Sequence, residues 1–275
     1  SPVSYFPSGS YVSIPKGASL KEIGEIFEAR GIVRNAWTFR QAARVLGNDR
    51  AVPSGVYYFG HKENLLQIAA RVVSGDFETT PVRVLIPEGS STKDIARILF
   101  EKIPDFDKRA FLQATEGKEG YLFPDTYFFM PSDNTEAILS VFNNAFHTKL
   151  TKLAKLIDAS GHTELEILTM ASILEKEANK SVDRQKIAGV LWHRIKIGMP
   201  LQVDAVFPYI ISKNTFEVTL TDLKIDSPYN TYKYKGLPPG PINNPGLDSI
   251  TAALNPIKSN YIFFLSDLDG NFHFT

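Results

Sequence analysis

Residues 163–178 restrict the possible folds more than any other stretch of the chain. Thr163 and Glu166 match the capping box, in which the two side chains bind the amides that the first turn of a helix leaves free. Gly161 ends the preceding helix. Apolar residues then cover more than half of the helix circumference, as in a helix that is buried on most sides. They are Leu165, Ile167, Leu168, Met170, Ala171, Ile173, Leu174 and Ala178.

This predicted core helix carries two carboxylates near its end, Glu175 and Glu177. At about 100° per residue they point roughly 200° apart, so they cannot face each other across one helix. One of them can face a cleft while the other faces solvent or a partner. Both lie at the flanks of the apolar arc, so periodicity does not choose between them. A pair of rim carboxylates next to Lys176 and Lys180 is the alternative.

Composition excludes several classes of protein. The 275 residues can form two domains or one large one. Lys+Arg and Asp+Glu both number 30, so the chain lacks the positive field of a nucleic-acid-binding protein. There is no Cys for disulfides or thiolate metal sites, and no Gly-rich phosphate loop follows a strand. We therefore expect no cofactor and no nucleic-acid partner. We also expect no metal site, because the His residues show no ligand spacing; they are His61, His147, His162, His193 and His273.

The sequence contains no segment that predicts a membrane span or a leader. No run of eighteen or more apolar residues occurs, and residues 1–5 do not resemble a signal peptide. The chain also does not begin with Met. We therefore expect a soluble portion of a longer protein, with any membrane anchor outside it.

The first third of the chain contains a repeated pattern. Ile14-Pro15-Lys16-Gly17 recurs as Ile86-Pro87-Glu88-Gly89, 72 residues later, and each copy follows a short apolar strand pattern and precedes a helical one. Ser19 caps the first of these helices and Gly31 closes it. Between the copies we predict a helix over residues 35–46, a strand over 56–59 and a helix capped by Asn64. The repeated pattern resembles the opening of a LysM-type module, a small βααβ unit that grips N-acetylglucosamine-containing glycans. A generic strand-turn-helix scaffold is the alternative.

Residues 119–129 have an unusual composition. Five aromatic residues fall within residues 121–129, together with Pro124 and Asp125, and this pattern suits neither a helix nor a simple strand. Sugar rings pack their C–H faces on aromatic rings, while their hydroxyls need carboxylates and amides. The segment therefore fits a carbohydrate groove, and it fits a hydrophobic corner equally well.

The second half of the chain predicts a helical subdomain joined by rigid loops. A helix capped by Asp133 or Asn134 runs to Ile157, and another over residues 181–198 follows the Glu-bearing helix. We expect these three helices to pack around the acid. Dense Pro and Gly over residues 199–204, 227–232 and 236–246 predict rigid loops that present Tyr, Asn and Gln side chains. A short helix over 248–254 and a terminal hairpin with its turn at 267–270 complete the chain.

Five blocks of this sequence resemble, in order and spacing, the YceG-like family of bacterial endolytic murein transglycosylases. They are residues 119–127, 171–177, 201–204, 229–232 and 236–242. The repeats before them match the LysM-like part that such proteins carry ahead of the catalytic domain. The resemblance implies an α+β protein, with LysM-like strand-turn-helix repeats in residues 1–107. It places a mixed catalytic domain, with a helical subdomain and Pro/Gly-rich loops, in residues 108–275.

The resemblance also implies an activity and a catalytic residue. The family cleaves the MurNAc–GlcNAc β-1,4 bond inside peptidoglycan strands without water, leaving a 1,6-anhydro-MurNAc end. Glu177 is the second carboxylate of the Glu-Lys-Glu triplet and is followed by a small residue. It is therefore similar to the Glu of the Glu-Ser pair in soluble lytic transglycosylases, and we expect it to be catalytic. Ala178 replaces that Ser here, and Glu175 is the reserve candidate.

The chemistry of this reaction agrees with a single acid. A hydrolase needs a second carboxylate, whereas in a transglycosylase the C6 hydroxyl of the sugar is the nucleophile. One carboxyl can then protonate the leaving oxygen and afterwards remove the hydroxyl proton. An apolar environment raises the pKa of such a Glu so that it begins protonated. We expect the glycan to be bound by Glu119, Tyr121, Gln202, Asp204, Tyr229, Asn230 and Tyr232.

Two other functions compete with this interpretation. A hydrolytic muramidase would use Glu177 with Asp204 or Asp125 as its second carboxylate. A non-catalytic wall-binding protein would use the LysM-like units alone. The family resemblance further implies an N-terminal transmembrane helix outside this chain. That helix would hold the domain at the outer face of the cytoplasmic membrane, near the peptidoglycan synthases as partners.

Overall fold

The chain is described by a computed structural model over residues 6–47, 52–77, 80–211, 217–267 and 270–275. The strands are β1 Ser10–Ile14, β2 Gly55–Phe59, β3 Val82–Leu85, β4 Thr126–Phe129, β5 Phe264–Ser266 and β6 Phe272–Phe274. The helices are α1 Leu20–Ala29, α2 Ala36–Gly47, α3 Leu65–Ser74, α4 Thr92–Lys102, α5 Lys108–Ala114, α6 Thr135–Thr151, α7 Ala154–Ser160, α8 Glu164–Glu177, α9 Ser181–Lys196, α10 Phe207–Ile211 and α11 Leu247–Leu254. β1 pairs with β2, β3 with β4 and β5 with β6, so the expected α+β class is confirmed.

The residues form two compact units that are discontinuous in sequence. The first comprises Ser1–Val84, Phe100–Asp107 and Phe128–Asn134. The second comprises Leu85–Leu99, Lys108–Tyr127 and Thr135–Thr275. The division into family domains after residue 107 stays a prediction.

The first unit is built from strong local signals. Ser19 and Asn64 each form a complete capping box, which explains why α1 and α3 begin where they do. β1 and β2 are antiparallel, with Ser10 opposite Phe59 and Ile14 opposite Gly55. Phe27 packs edge-on against Phe39 and Phe59, at ring distances of 5.2 and 5.6 Å. The predicted elements of this region are confirmed.

Both copies of the repeated pattern give a strand, a turn and a helix. β1 is followed by α1, and β3 is followed by α4. Their relation to LysM modules stays a prediction.

The second unit is organised around α8. The Thr163 capping box and the end of α7 at Gly161 are confirmed. α8 packs against α9 and α11, while α6 adds Phe146 and Leu150 to the same apolar core. Thr169 and Ser172 are also buried within α8, and their hydroxyls donate to carbonyls of the same helix. The acid-bearing helix is therefore held on nearly all sides.

The single helix predicted up to Ile157 is wrong. α6 ends at Thr151 and a separate helix, α7, begins at Ala154. Thr148 and Thr151 each donate from the hydroxyl to the carbonyl four residues earlier, at 2.7 Å. Such bonds compete with the regular helix pattern and bend it, and the Leu153 amide then bonds the Leu150 carbonyl in a tighter turn.

The expectation that residues 119–129 contain no simple strand is wrong for the last four, which form β4. Tyr127 and Phe129 are buried while Phe128 is exposed, and this alternation suits a pleated strand. Upstream of the strand, Leu122 and Phe123 are buried, as in a hydrophobic corner.

The C-terminal hairpin is confirmed, with Phe264 opposite Phe274. Leu268 and Asp269 of its predicted turn lie outside the described residues. Among the residues described, no helix combines the length and apolarity needed to cross a bilayer.

Candidate active site

The two glutamates at the end of α8 enter different surroundings. Glu177 is the last helical residue, and the chain leaves the helix at Ala178 with an extended backbone (φ −149°, ψ 154°). Glu175 points toward α9 and the loop before α11, whereas Glu177 points toward residues 204 and 205. The helical geometry predicted that they would diverge, and the structure assigns each its own partners.

Glu177 has the properties of a general acid. Its side chain is only partly exposed, and its carboxylate accepts the amide N–H of Ala205. Burial and the nearby Asp204 carboxylate together raise its pKa to about 7, against the opposing effects of the Ala205 amide and Arg194. A carboxyl with a pKa near 7 is present in both protonation states at neutral pH, so it can donate a proton and then accept one.

Pairing between two loops places Asp204 and Tyr232 beside this acid. The Gln202 amide donates to the Thr231 carbonyl, and the Val203 amide donates to the Thr231 hydroxyl, both at 3.1 Å. The Tyr232 hydroxyl then donates to Asp204 Oδ1 at 2.7 Å. Burial and the Asp204 carboxylate raise the pKa of Tyr232, so it stays a hydrogen-bond donor. Of the predicted residues, the structure brings Glu177, Asp204 and Tyr232 together.

Arg194 of α9 holds the loop that carries Gln202 and Asp204, through the Leu201 carbonyl. Its guanidinium is buried, and it donates to the carbonyls of Leu201 and Ile262. It also interacts electrostatically with Glu177 and Tyr232. Sequence reasoning missed Arg194; its place among the apolar residues of α9 was the available signal.

Glu175 is a structural residue, held by Arg184 of α9. Arg184 Nη2 lies 2.9 Å from Glu175 Oε1, and Arg184 Nη1 lies 2.5 Å from Asp248 Oδ2. The other Glu175 oxygen accepts the Gly246 amide at 2.8 Å. The Glu175 side chain is only 6% exposed, so the reserve catalytic role is not supported by its position. It is also not a rim carboxylate.

Arg184 grips the chain on both sides of Glu177. Besides Glu175, it bonds the Ala178 carbonyl through Nε at 2.8 Å. Because residues 175 and 178 flank the acid, one buried guanidinium fixes the last turn of α8. This contact was not predicted.

The Pro/Gly-rich loop before α11 is fastened to α8 by side chains. The Ile242 amide donates to the Ser172 hydroxyl at 3.1 Å, and the Asn243 side chain donates to the Ser172 carbonyl at 2.7 Å. Asn244 accepts the Leu122 amide at 2.8 Å. These bonds set the course of residues 242–246 past the acid-bearing helix.

Asn230 was predicted to bind glycan, but the structure buries it completely. Its amide nitrogen donates to the carbonyls of Leu223 and Ile225 at 3.0 and 2.8 Å, and its oxygen accepts the Tyr232 amide. Every polar atom of the side chain is therefore used inside the protein. Asn230 shapes the loop that positions Tyr232, and this corrects the predicted contact.

Gln202 and Tyr229 are placed where a ligand can reach them. Gln202 is exposed and has a left-handed backbone (φ 50°), which is unfavourable for a residue with a side chain by about 1–2 kcal/mol. Such conformations cluster at functional sites. Tyr229 is half-buried and lies against Tyr209, with ring centroids 4.8 Å apart. Tyr209 was not predicted from the sequence.

Glu119 is built into a network of hydrogen bonds. Its carboxylate accepts the Thr92 amide and the Asn244 side-chain amide, both at 2.9 Å. Burial raises its pKa to about 7, although the bonds from Thr92 oppose this. Glu119 also influences Tyr209 electrostatically, so it lies near the Tyr209–Tyr229 pair.

Tyr121 lies at the other end of α8 from the acid. Its ring packs against that of Phe146, with centroids 5.1 Å apart. Burial raises the pKa of Tyr121, and the nearby Glu164 carboxylate adds a smaller effect in the same direction. Glu164 and Glu177 are the first and last residues of α8, so they are about 20 Å apart along the helix. The structure therefore does not bring Tyr121 and Glu177 together. A cavity of about 650 Å³ opens at this end of α8, lined by residues that include His147, Asp158 and His162.

Asp125, a possible second carboxylate of a hydrolase, has other partners. It forms an ion pair with Lys149 at 3.2 Å, and its other oxygen accepts the Thr126 amide. Asp204 is the candidate that lies beside Glu177. Within the described part of the chain, no group of three or more His, Asp or Glu side chains is arranged to hold a metal ion.

The fold and site define a class of protein: an α+β protein with a partly exposed carboxylic acid of raised pKa, next to a carboxylate–tyrosine pair. More particularly, the chain belongs to the YceG-like family, whose model matches residues 12–275.

Relatives and a solved structure agree with this assignment. The chain is 31% identical to an endolytic murein transglycosylase of Bacillus subtilis, over 96% of this chain and 80% of that protein. It is 30% identical to an endolytic murein transglycosylase of Streptococcus pneumoniae, over 94% of this chain, and it spans about half (54%) of that longer relative. A crystal structure of a YceG-like protein from Listeria monocytogenes matches 98% of this chain and 96% of its own, with a TM-score of 0.64 and 31% identity.

Proposed function

We propose that this chain is an endolytic lytic transglycosylase that cleaves the MurNAc–GlcNAc β-1,4 bond within peptidoglycan strands, with Glu177 as acid and then base. Its relatives are named for endolytic murein transglycosylase activity. The observation that carries the proposal is the Glu177 carboxyl, partly exposed and with its pKa raised to about 7 by burial and Asp204.

The proposed reaction moves one proton out and one proton back. Glu177 donates its proton to the oxygen that links the two sugars as the bond from that oxygen to C1 of MurNAc breaks. The C6 hydroxyl of the same MurNAc then attacks C1 and closes the 1,6-anhydro ring. The Glu177 carboxylate takes the proton of that hydroxyl, so the acid is regenerated and no water is consumed.

The neighbours of Glu177 suit this cycle. The Asp204 carboxylate disfavours the ionised form of Glu177, which helps the first step. The Ala205 amide stabilises the carboxylate that forms when the proton leaves. As the glycosidic bond breaks, positive charge develops on the sugar ring. The Asp204 carboxylate, held by the Tyr232 hydroxyl close to Glu177, would stabilise that charge. Gln202 and Tyr229 would hold the glycan strand.

A hydrolytic muramidase is the second candidate, because Asp204 is a second carboxylate next to the acid. Such an enzyme would use Asp204 to activate water or to attack the anomeric carbon. The two reactions leave different ends on the product: an anhydro ring for a transglycosylase and a reducing end for a hydrolase.

Digestion of purified, peptide-free glycan strands tests the proposal. We expect mass spectrometry to find 1,6-anhydro ends with the wild type and no new ends with Glu177→Gln. Glu164→Gln, at the exposed first position of the same helix, is the matched control and should cleave normally. Reducing ends would establish hydrolysis instead. A folded wild type that pellets with murein sacculi without cutting them would establish a binding protein.

The cellular location belongs to the same proposal. An enzyme that acts on peptidoglycan strands as they are made would work at the outer face of the cytoplasmic membrane, near the peptidoglycan synthases. Fractionation of cells that express the protein from its natural gene tests this, and recovery in the cytosol would contradict it.

A further inference from the structure

Tyr209 and Tyr229 form an aromatic pair on the surface of the second unit. Their ring centroids are 4.8 Å apart and their planes are tilted by 47°. Tyr209 is 37% exposed, so its ring can be reached from solvent. Burial raises the pKa of Tyr209, and so does its hydrogen bond to the Tyr229 side chain. The two rings are therefore held in a fixed relation while one remains open to solvent.

The pair is tied to the acid through α10. The Ala205 amide, which bonds Glu177, belongs to a 3-10 turn over Asp204–Val206, and α10 continues directly from that turn. Tyr209 lies four residues after Ala205, in the helix that follows this turn. One helical turn rises about 5.4 Å. Tyr209 is thus about one turn along this segment from the residue that contacts the acid.

The pair is also tied to the acid from the other side. Tyr229 lies three residues before Tyr232, whose hydroxyl bonds Asp204. The intervening Asn230 is buried and fixes this loop. Gly240 lies beside the Tyr229 hydroxyl, since a Cβ at position 240 would be 3.4 Å from that oxygen. Both rings are therefore positioned by the segments that position Asp204 and Glu177.

We propose that Tyr209 and Tyr229 form a stacking subsite for a sugar ring of the glycan strand, adjoining the bond that Glu177 cleaves. This inference rests on the proposed function. A pyranose presents flat C–H faces that pack on aromatic rings, and the two hydroxyls at the edge of the pair can bond the hydroxyls of the sugar. Tyrosine loses little conformational entropy on binding, so a preformed pair gives contact area efficiently.

Binding without cleavage isolates the subsite. In a Glu177→Gln background, we would measure the affinity for purified, peptide-free glycan strands of Tyr209→Ala and Tyr209→Phe. Tyr209→Ala should weaken binding about tenfold because it removes the ring, and Tyr209→Phe should weaken it less than threefold because the ring remains. Tyr261→Ala is the matched control, since Tyr261 is an exposed tyrosine (48%) near the C-terminus, and it should bind normally.

A second variant and a kinetic measurement keep the test decisive. Tyr209→Leu retains apolar bulk without a flat face, so it should bind as weakly as Tyr209→Ala and serves if the alanine variant does not fold. In the active enzyme, Tyr209→Ala should raise KM about tenfold and leave the anhydro product unchanged. Equal affinity of Tyr209→Leu and the parent would overturn the subsite. If the wild type makes no anhydro ends, the proposed reaction fails. If Tyr209→Leu nevertheless binds glycan more weakly than its Glu177→Gln parent, the subsite stands.

Discussion

Replacing Glu177 by Gln should stabilise the folded protein at alkaline pH while it abolishes cleavage. The amide of Gln has nearly the shape of the carboxyl and can still accept the Ala205 N–H. It cannot ionise, however. The substitution therefore removes the free energy needed to charge a carboxyl that the fold surrounds with protein.

The magnitude follows from the pKa of Glu177 in the folded chain. Burial raises it from 4.5 to about 7. A proton held more tightly by the folded state stabilises that state below pH 4.5, and this stabilisation is lost as the pH rises through 7. At 1.36 kcal/mol per pH unit the full loss is about 3 kcal/mol. Since the side chain is partly exposed, solvent screening reduces this, and we expect about 1–3 kcal/mol.

Urea denaturation at pH 5 and pH 8.5 measures this effect. The free energy of unfolding of Glu177→Gln, minus that of the wild type, should increase by about 1–3 kcal/mol between the two pH values. Glu119, whose pKa is also raised to about 7, is present in both proteins, so its contribution cancels in the difference. Glu164→Gln, at an exposed position, should show no such pH dependence. A difference that is equal at both pH values would refute the reasoning.

Three further substitutions test the surroundings of the acid. Asp204→Asn removes the charge that raises the pKa of Glu177, so the fall of kcat at alkaline pH should move to lower pH; a pH–rate profile that does not move would contradict this. Glu175→Gln weakens the buried pair with Arg184 and should cost about 3 kcal/mol of stability in urea denaturation, with cleavage retained by the folded fraction; an unchanged midpoint would exclude the structural role. Asn230→Ala leaves two carbonyls without their donor and should lower the free energy of unfolding by about 2–4 kcal/mol; a calorimetric change below about 0.5 kcal/mol would show that Asn230 does not hold the loop.

Features encoded by neighbouring residues could be predicted from the sequence. The start of α8 depends on Thr163 and Glu166, three residues apart, and the capping box is complete in the structure. The same holds for α1 and α3, whose caps lie three residues from their partners. The divergence of the two glutamates also followed from helical geometry. These signals are local, so tertiary structure did not have to be known.

The partners of each glutamate could not be predicted, because they lie on other helices and loops whose packing against α8 the sequence pattern does not give. Glu175 is satisfied by Gly246, 71 residues away, and Glu177 contacts Ala205 on another segment. Asn230 shows the same limit: an Asn in a Pro-rich loop can bind a ligand or satisfy the backbone. Only the positions of the Leu223 and Ile225 carbonyls decide between the two.

Tyr209 was missed for a related reason. It lies in a short apolar segment, residues 205–211, in which an aromatic residue is ordinarily part of a core. Its ring becomes part of an aromatic pair only because Tyr229, 20 residues later, packs against it. Similarly, the break between α6 and α7 comes from Thr hydroxyls that bond within the helix, and no Gly or Pro marks it.

Arg184 bonds both the Glu175 side chain and the Ala178 carbonyl, so the backbone that carries Glu177 is held in place on both sides. Under the proposed function, a glycan strand would therefore have to adjust its position to the carboxyl of a backbone segment that is held in place. A screen that records only lost activity would not distinguish a variant without these Arg184 contacts from a variant without the Glu177 carboxyl. Counting the surviving folded molecules would tell the two apart.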